Sequence, residues 1–228
     1  PYGAGNTVVG AAMFSGEGWR ERMDSTAQNF QLGLDRLTEE QLADYQANNP
    51  GTFITWHFLE EGNPKGLSLL DASITHPATS VASDSVFWSY FDEDGSVQSY
   101  TGDAWPLPEN VFSHPRSAGT FAKILRSYVR ERGVMSMSTA IEKMSLMPAQ
   151  VLEGFVPQMR SKGRIQVGMD ADIVVFDPTS ISDRATYENS NQPAVGVQTL
   201  LVNGGFTVKD GALVLDASGG QPIRRAIQ

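Results

Sequence analysis

The chain has 228 residues, of which 40% are hydrophobic and 19% charged, so it is long enough to bury a sizeable core. Its formal net charge of −9 argues against binding to nucleic acid or to an anionic membrane surface, because both select basic patches. No window is apolar for long enough to cross a bilayer, and the absence of cysteine excludes disulfides and thiolate metal ligands. We therefore expect a soluble globular protein, and the sequence assigns it to no compartment.

The first half of the chain predicts short helices and strands separated by turns rich in glycine and proline. Thr38 followed by Gln41 is typical of a capped helix start, and Asn49-Pro50-Gly51 ends that helix. In chain order we predict a strand end and loop in 1–14, helices after Asp24 or Ser25 and from Thr38, a strand at 52–59, a short helix at 66–72 and a strand at 79–86.

The second half changes from helices to strands near residue 158. Residues 91–113 predict a polar loop that is longer than an ordinary connection, as functional loops often are. Apolar residues at helical spacing predict helices at 121–131, 138–146 and 149–152. Short strands are predicted at 172–176, 199–202, 207–209 and 212–215, with Asn203-Gly204 and Asp210-Gly211 as turns.

Several short motifs occur in one order along the chain. They are PYGAGNT at 1–7, SDS at 83–85, HPRSAGTF at 114–121, PAQVLE at 148–153, GRIQVGMDADIVVFDP at 163–178 and VNGGFTVKDG at 202–211. Together they resemble an amidohydrolase of the N-acyl-D-amino-acid deacylase (D-aminoacylase) family. The GMDAD element alone is shared by the wider amidohydrolase superfamily, whereas the collinear order over nearly the whole chain is far more specific than any one motif.

The resemblance implies an α/β fold: the C-terminal part of a (β/α)8 metallo-hydrolase barrel with a small helical insertion, plus a small β-sandwich domain. The implied domains are a barrel strand and loop at 1–14, an inserted domain over the active site at 15–65, the last barrel units and closing helices at 66–157, and the β-sandwich at 158–228. A complete barrel takes about 250 residues, so we expect this chain to be part of a larger enzyme.

Asp84 is the candidate catalytic residue. A carboxylate at the C-terminal end of a barrel strand faces the site where such barrels carry out their chemistry. By resemblance it acts as the general base on a zinc-activated water and then protonates the departing amine. Asp84 is also a candidate metal ligand, and the resemblance implies that the remaining zinc ligands lie upstream of Pro1. The alternative is a turn aspartate that caps the following loop.

Arg116 and Tyr2 are the candidate substrate-binding residues. A guanidinium can make two parallel hydrogen bonds to a carboxylate, which suits the carboxylate of an N-acyl amino acid. By resemblance, Arg116 and Tyr2 hold that carboxylate and so fix which enantiomer presents its amide. The alternative for Arg116 is a surface residue of a helix-entry loop, and Tyr2 could simply pack.

The other candidate ligands favour structural roles. His57, His76 and His114 are far apart in sequence and form no HxH or HxxxH pair, so a self-contained zinc site is not expected. By resemblance, Asp170 and Asp172 belong to the sandwich and are structural. Trp56, Trp88 and Trp105 could line a pocket for an apolar acyl group or side chain, but buried aromatic residues are mostly core.

Three hypotheses follow from the sequence. The leading one is a zinc-dependent hydrolase that acts on the amide bond of small-molecule N-acyl-D-amino acids. The second keeps the fold and changes the substrate to a cyclic amide, as in dihydroorotase or hydantoinase. The third is an inactive fragment that serves only as an interaction module, for example with the missing N-terminal part of the same protein through an open sheet edge.

Overall fold

The computed structural model describes residues 1–59 and 62–224. The contacts divide the chain into two compact units. The first comprises Pro1–Ser73, Asp84–Ala118 and Ala185–Gln192, and the second comprises Ile74–Ser83, Gly119–Arg184 and the described residues from Pro193 onward. Within the described chain, no helix combines the length and apolar character that a membrane crossing needs.

The first unit contains a four-stranded antiparallel sheet with the strand order β1-β4-β2-β3. Its strands are β1 (Ala4–Val8), β2 (Phe30–Leu32), β3 (Asp35–Arg36) and β4 (Phe53–His57). The apolar cluster of this unit consists of Val9, Phe14, Ala27, Phe30, Leu37, Leu42 and Ile54, while Ser25, Gln31 and His57 are buried polar residues of the same unit. The predicted domain boundaries stay predictions, although β1 shares this sheet with β4 from the segment predicted to be an insertion.

Three helices accompany the sheet along the chain: α1 (Trp19–Met23), α2 (Glu39–Asn48) and α3 (Pro64–Thr75). The predicted start of α2 is confirmed, because Gln41 N–H donates to Thr38 Oγ1 at 3.2 Å and Thr38 N–H donates to Gln41 Oε1 at 2.9 Å. Single turns of 3-10 helix lie at Ala12–Phe14 and Ala27–Asn29.

The long polar loop predicted at 91–113 contains a β-hairpin at its start. Strands β5 (Ser89–Phe91) and β6 (Val97–Ser99) pair in antiparallel fashion. Asp92 fixes the turn, because Oδ1 accepts the N–H groups of Asp94 and Ser96 while Oδ2 accepts from Gln98 at 2.7 Å. These side-chain hydrogen bonds close a turn that hydrophobic alternation did not predict.

The predicted strand at 79–86 is wrong, because residues 79–88 have no regular secondary structure. Val81 of this segment packs in the apolar core of the helices and in no sheet. Its backbone donors bind elsewhere: Val81 N–H donates to the carbonyl of Lys143 at 2.9 Å, and Val86 N–H donates to Ser117 Oγ at 3.2 Å. Asp84 therefore lies on a loop and not at the end of a strand.

The helices predicted after residue 115 are confirmed, with longer and less regular courses. Helix α4 (Arg116–Lys123) continues as a π-helical segment, Ile124–Glu131. Helix α5 (Met137–Ile141) passes through the π-helical segment Glu142–Leu146 into α6 (Met147–Leu152), and a 3-10 turn follows at Pro157–Ser161. The core of the second unit is built on these helices and includes Val81, Ile124, Leu125, Tyr128, Ala140 and Ile181.

The second unit ends in an antiparallel sheet with the order β10-β9-β8-β7. Its strands are β7 (Ile173–Phe176), β8 (Val197–Val202), β9 (Gly205–Lys209) and β10 (Ala212–Leu213). Both predicted turns form, with positive φ angles of 48° at Asn203 and 52° at Asp210. Among the described residues every strand pair is antiparallel, so the barrel and the sandwich stay predictions.

Candidate active site

The structure brings two of the predicted site residues together, Asp84 and Arg116. Arg116 Nη2 lies 3.0 Å from Asp84 Oδ2, and Arg116 Nε–H donates to the backbone carbonyl of Asp84 at 2.6 Å. The two side chains differ in exposure: that of Asp84 is 86% exposed and that of Arg116 is 11% exposed. A largely buried guanidinium is thus paired with a carboxylate that remains open to solvent.

Asp84 adopts an unusual backbone conformation. Its φ angle is +48°, in the left-handed region that non-glycine residues seldom occupy. Aspartate tolerates this region better than most residues, and such conformations persist where neighbouring contacts enforce them. The bond from Arg116 Nε–H to the carbonyl of Asp84 is one of those contacts.

Arg116 is the first residue of α4, and the turn before it is fixed by His114. The ring of His114 is 2% exposed; its Nδ1 accepts the backbone N–H of Arg116 at 3.0 Å, and its Nε2 lies 3.2 Å from the carbonyl of Ala4. These partners assign a neutral ring that donates from Nε2. His114 therefore orders the helix start, and both of its nitrogens are used in doing so.

Strand β1 passes beside the guanidinium at Gly5. A Cβ atom at this position would lie 3.9 Å from Arg116 Nη1 and 3.4 Å from the Phe58 ring, which are ordinary van der Waals distances. These contacts therefore place β1 next to the cation and do not require a glycine at this position.

Tyr2 packs against His114. Its ring meets the ring of His114 edge to face, with the centroids 5.5 Å apart, and also packs on Tyr187 at 6.2 Å. Tyr187 in turn packs on His114 at 5.2 Å and on His57 at 4.5 Å. We call Tyr2, His57, His114 and Tyr187 the ring cluster. Through His114 it contacts the turn that carries Arg116.

His57 is a neutral member of the ring cluster. Its Nε2 lies 2.9 Å from Gln31 Oε1, and its Nδ1 lies 3.1 Å from Arg36 Nη2, so Nδ1 accepts and Nε2 donates. Burial, together with the positive charge of Arg36, lowers the pKa of His57 to about 4. This ring is held by protein partners on both nitrogens and is structural.

Sequence reasoning missed two residues of the site. Ser117 Oγ accepts Val86 N–H at 3.2 Å and lies 3.1 Å from the Val86 carbonyl, so it fixes the loop just after Asp84. Its position directly after Arg116 was a usable signal. Tyr187 lies in a polar loop with no motif around it, so nothing in the sequence pointed to it.

The described residues offer no metal site of their own. Among them, no three His, Asp or Glu side chains are grouped so that they could hold a metal ion. Asp170 and Asp172 both bind Lys162, at 2.9 Å and 2.6 Å from Nζ. Hydrogen bonds from Ser161 and Lys162 hold the pKa of Asp170 below its usual value. The GMDAD aspartates are thus paired with a lysine.

No protein-family model matches the chain. Over 98 residues it is 38% identical to an N-acyl-D-glutamate deacylase and 37% identical to a D-aminoacylase, both of Alcaligenes xylosoxydans xylosoxydans. Each of these matches covers 43% of this chain and 19% of the relative. The matched part is therefore a small share of the whole curated enzymes.

Solved structures match nearly the whole chain. A crystal structure of D-aminoacylase, described as defining a novel subset of amidohydrolases, gives a TM-score of 0.62 at 23% identity, over 93% of this chain and 39% of that one. An N-acyl-D-glutamate deacylase from Bordetella bronchiseptica, complexed with zinc and a phosphonate inhibitor, gives 0.58 at 26% identity, over 95% and 41%. These comparisons confirm the predicted resemblance: the chain has an amidohydrolase-like α/β fold and is similar to part of a D-aminoacylase.

Proposed function

We propose that this chain is part of an enzyme that hydrolyses the amide bond of N-acyl-D-amino acids, releasing a carboxylate and the free D-amino acid. The observation that carries the proposal is the Asp84–Arg116 pair, formed by the two residues expected to act on such a substrate. The chain spans about a fifth of the curated relatives it matches, so the activity is that of the whole protein.

Arg116 binds the carboxylate of the substrate. Its guanidinium is largely buried, which strengthens its attraction for an anion. It also stands at the start of α4, where helix N–H groups favour negative charge. Tyr2 is the second residue proposed to bind the carboxylate, and its ring is already ordered by His114 and Tyr187.

Asp84 moves the proton. As water attacks the acyl carbon, the new C–O bond forms and a proton passes from the water to the Asp84 carboxylate. When the C–N bond breaks, the same carboxyl group returns that proton to the leaving nitrogen. The exposed carboxylate of Asp84 is free to approach the reacting atoms once a substrate carboxylate has taken its place on Arg116.

Zinc is the cofactor of the proposed enzyme, in keeping with the zinc-bound deacylase of Bordetella bronchiseptica. The described residues do not fit a complete zinc site by themselves, because they supply no suitable group of ligands. We therefore propose that the remaining ligands come from the rest of the whole protein, with Asp84 as the residue of this chain that could join them. Bound zinc would supply a water acidic enough to ionise near neutral pH.

We also propose the barrel and the sandwich, from the likeness to solved deacylase structures. The TM-scores of 0.62 and 0.58 support the placement of this chain within the deacylase fold. In that fold, residues 66–157 would close a (β/α)8 barrel around Asp84, residues 15–65 would cover the site, and residues 158–228 would form the β-sandwich.

The absence of a metal site among the described residues favours one further proposal about the chain on its own. The isolated 228 residues should bind zinc weakly and hydrolyse no N-acyl-D-amino acid. Stoichiometric zinc together with deacylase activity in this isolated chain would contradict it.

The test of the proposed function uses the full-length protein that carries this chain, loaded with zinc. N-acetyl-D-glutamate, N-acetyl-D-leucine, their L enantiomers and hydantoin are assayed for release of amine or ring opening. The proposal expects hydrolysis of a D enantiomer and little of its L counterpart. Ring opening of hydantoin without hydrolysis of either D compound would select the cyclic-amide alternative.

A further inference from the structure

The carboxylate of Asp84 rests on the guanidinium that is proposed to bind the carboxylate of the substrate. Asp84 Oδ2 lies 3.0 Å from Arg116 Nη2, and the carbonyl of Asp84 accepts from Arg116 Nε–H at 2.6 Å. A guanidinium holds a carboxylate by two parallel hydrogen bonds, made either by Nε with Nη2 or by Nη1 with Nη2. Both arrangements use Nη2, so a substrate carboxylate bound in this way meets Asp84 at the same nitrogen.

Two carboxylates at one nitrogen repel each other, and their exposure decides which contact gives way. The side chain of Arg116 is 11% exposed, and its backbone N–H is bonded to the buried ring of His114. The side chain of Asp84 is 86% exposed, so water can solvate its carboxylate as soon as it leaves Nη2. Asp84 is therefore the partner that moves when a second carboxylate arrives.

The movement can be confined to the side chain of Asp84. When the substrate uses Nη1 and Nη2, the carbonyl of Asp84 can stay on Arg116 Nε–H while rotation about the Cα–Cβ bond removes the carboxylate from Nη2. Two residues further on, Ser117 Oγ accepts the N–H of Val86 and holds the loop to the start of α4. Rotations of exposed side chains are fast, so this release does not need to limit turnover.

We infer that the Asp84–Arg116 pair is autoinhibitory and that the carboxylate of the substrate relieves it. In the resting enzyme the proton carrier is held on the cation, and it becomes available when the substrate carboxylate binds Arg116. The inference rests on the proposed function, in which Asp84 moves the proton and Arg116 binds the carboxylate. It deepens that function, because a free carboxylate is then required for the chemical step as well as for binding.

This requirement narrows the substrate class to N-acyl amino acids with a free carboxylate. An N-acyl amine, or an N-acyl amino acid whose carboxylate is amidated, leaves Asp84 on Arg116. The pair shifts a population and does not block the enzyme completely, because one of its members is exposed and such pairs are weak. Slow hydrolysis of these compounds should therefore remain and can be measured.

The test supplies the carboxylate as a separate ion. N-acetylisoamylamine is N-acetyl-D-leucine without its carboxylate, and formate provides the missing group; N-acetyl-γ-aminobutyrate plays the same part for N-acetyl-D-glutamate. In the full-length zinc-loaded enzyme, formate should raise kcat/KM for the shortened compound about two- to fivefold, as expected for opening an exposed ion pair. Sodium chloride at equal ionic strength should not, which separates the effect from charge screening.

The same formate should act in the opposite direction on the complete substrate. With N-acetyl-D-leucine it competes for Arg116 and should raise KM without changing kcat. Inhibition of the complete substrate without activation of the shortened compound would overturn the inference, because the carboxylate would then serve binding alone. Formate without effect on either compound would overturn it as well, since Arg116 would then hold no carboxylate.

Two variants show whether the effect passes through this cation. Arg116→Met removes the pair, so formate should no longer activate hydrolysis of the shortened compound. Arg20→Met removes a cation from an exposed pair with Glu39 and should keep the activation. Activation that persists in Arg116→Met would contradict an autoinhibitory role of the pair.

Crystal structures of the full-length zinc-loaded enzyme, with and without formate, test the geometry independently of kinetics. Without formate, Asp84 Oδ2 should lie within hydrogen-bonding distance of Arg116 Nη2; with formate, the ion should take that position. A resting enzyme in which the two side chains are apart would overturn the inference. An enzyme that hydrolyses no N-acetyl-D-amino acid would instead remove the proposed function, so the two failures are distinguishable.

Discussion

The turn that carries Arg116 and the loop that carries Asp84 are built in opposite ways. The Arg116 turn is buried and held by aromatic rings: Nδ1 of His114 accepts the N–H of Arg116, and Tyr2 and Tyr187 pack on the His114 ring. The Asp84 loop has no regular structure and its carboxylate is exposed. Its backbone is held by side chains: Arg116 donates to the carbonyl of Asp84, and Ser117 accepts the N–H of Val86. A cation that binds substrate can be ordered in advance, whereas a proton carrier needs freedom to reach the reacting atoms.

This contrast assigns different kinetic consequences to the two residues. Loss of a pre-ordered binding cation should weaken substrate affinity, whereas loss of the proton carrier should slow the chemical step. Substitution of Asp84 and of Arg116 tests that division of roles, and substitution of His57 and of His114 tests the ring cluster that contacts the Arg116 turn.

The largest effect is expected for Asp84→Asn, which keeps the shape of the side chain and removes its ability to accept a proton. In the full-length enzyme kcat should fall about 10³-fold or more, within the range for loss of a general base. Steady-state kinetics on an N-acetyl-D-amino acid measure it. Asp103→Asn, an equally polar change at another exposed position, is the control and should be neutral. Turnover near the wild-type rate in Asp84→Asn would remove Asp84 from the mechanism.

Arg116→Met should act mainly on binding. Loss of a charge-assisted contact through two hydrogen bonds with the substrate carboxylate should raise KM about 100-fold. Arg116→Lys should recover only part of the lost affinity, because an ammonium cannot make the two parallel hydrogen bonds of a guanidinium. Arg20→Met, which breaks an exposed pair with Glu39, serves as the control. If kcat fell while KM stayed constant, the roles assigned to the two loops would have to be exchanged.

His57 makes the stability of the ring cluster depend on pH. Its pKa is about 4 in the folded protein, against about 6.5 when unfolded. The unfolded state therefore binds more protons between these values, so stability is fully present above pH 6.5 and is lost as the pH falls toward 4, by about 3 kcal/mol at most. Urea unfolding at several pH values measures it. His57→Gln should flatten this part of the profile, and an unchanged slope would contradict the assignment of a neutral His57.

The smallest effect is expected for His114→Leu, which leaves the backbone N–H of Arg116 and the carbonyl of Ala4 without their ring partner. An unpaired buried group costs about 1–3 kcal/mol. The bond to the Ala4 carbonyl is buried and that to the Arg116 N–H is only partly so. The free energy of unfolding should therefore fall by about 1–3 kcal/mol, mainly through the Ala4 carbonyl. His76→Leu, at an exposed ring, should change it by less than about 0.5 kcal/mol. Equal losses in the two variants would show that the Arg116 turn does not depend on the buried ring.

The same two regions show what the sequence could predict. The start of α2 at Thr38 and the turns at Asn203-Gly204 and Asp210-Gly211 follow from local chemistry, and all of them form as predicted. The collinear motifs predicted that Asp84 and Arg116 serve one site, although no spacing rule links residues 32 positions apart. The ion pair between them was not predicted.

What the sequence did not predict depends on contacts between distant residues. The loop at 79–88 resembles a strand in composition, yet its donors bind Lys143 and Ser117, which only the folded chain brings near. The ring cluster joins residues 2, 57, 114 and 187, and each aromatic ring alone was more typical of ordinary core. The π-helical segments leave no recognisable trace in hydrophobic periodicity.

Calorimetric titration of an N-acetyl-D-amino acid into the full-length Asp84→Asn and Arg116→Met enzymes tests the division of roles most directly. The account predicts that Asp84→Asn, although unable to turn over the ligand, binds it at least as tightly as wild type, because the amide no longer competes for Arg116 as the carboxylate did. Arg116→Met should bind it about 100-fold more weakly. Equal affinities in the two variants would contradict the account, since Arg116 would then not be the residue that holds the substrate.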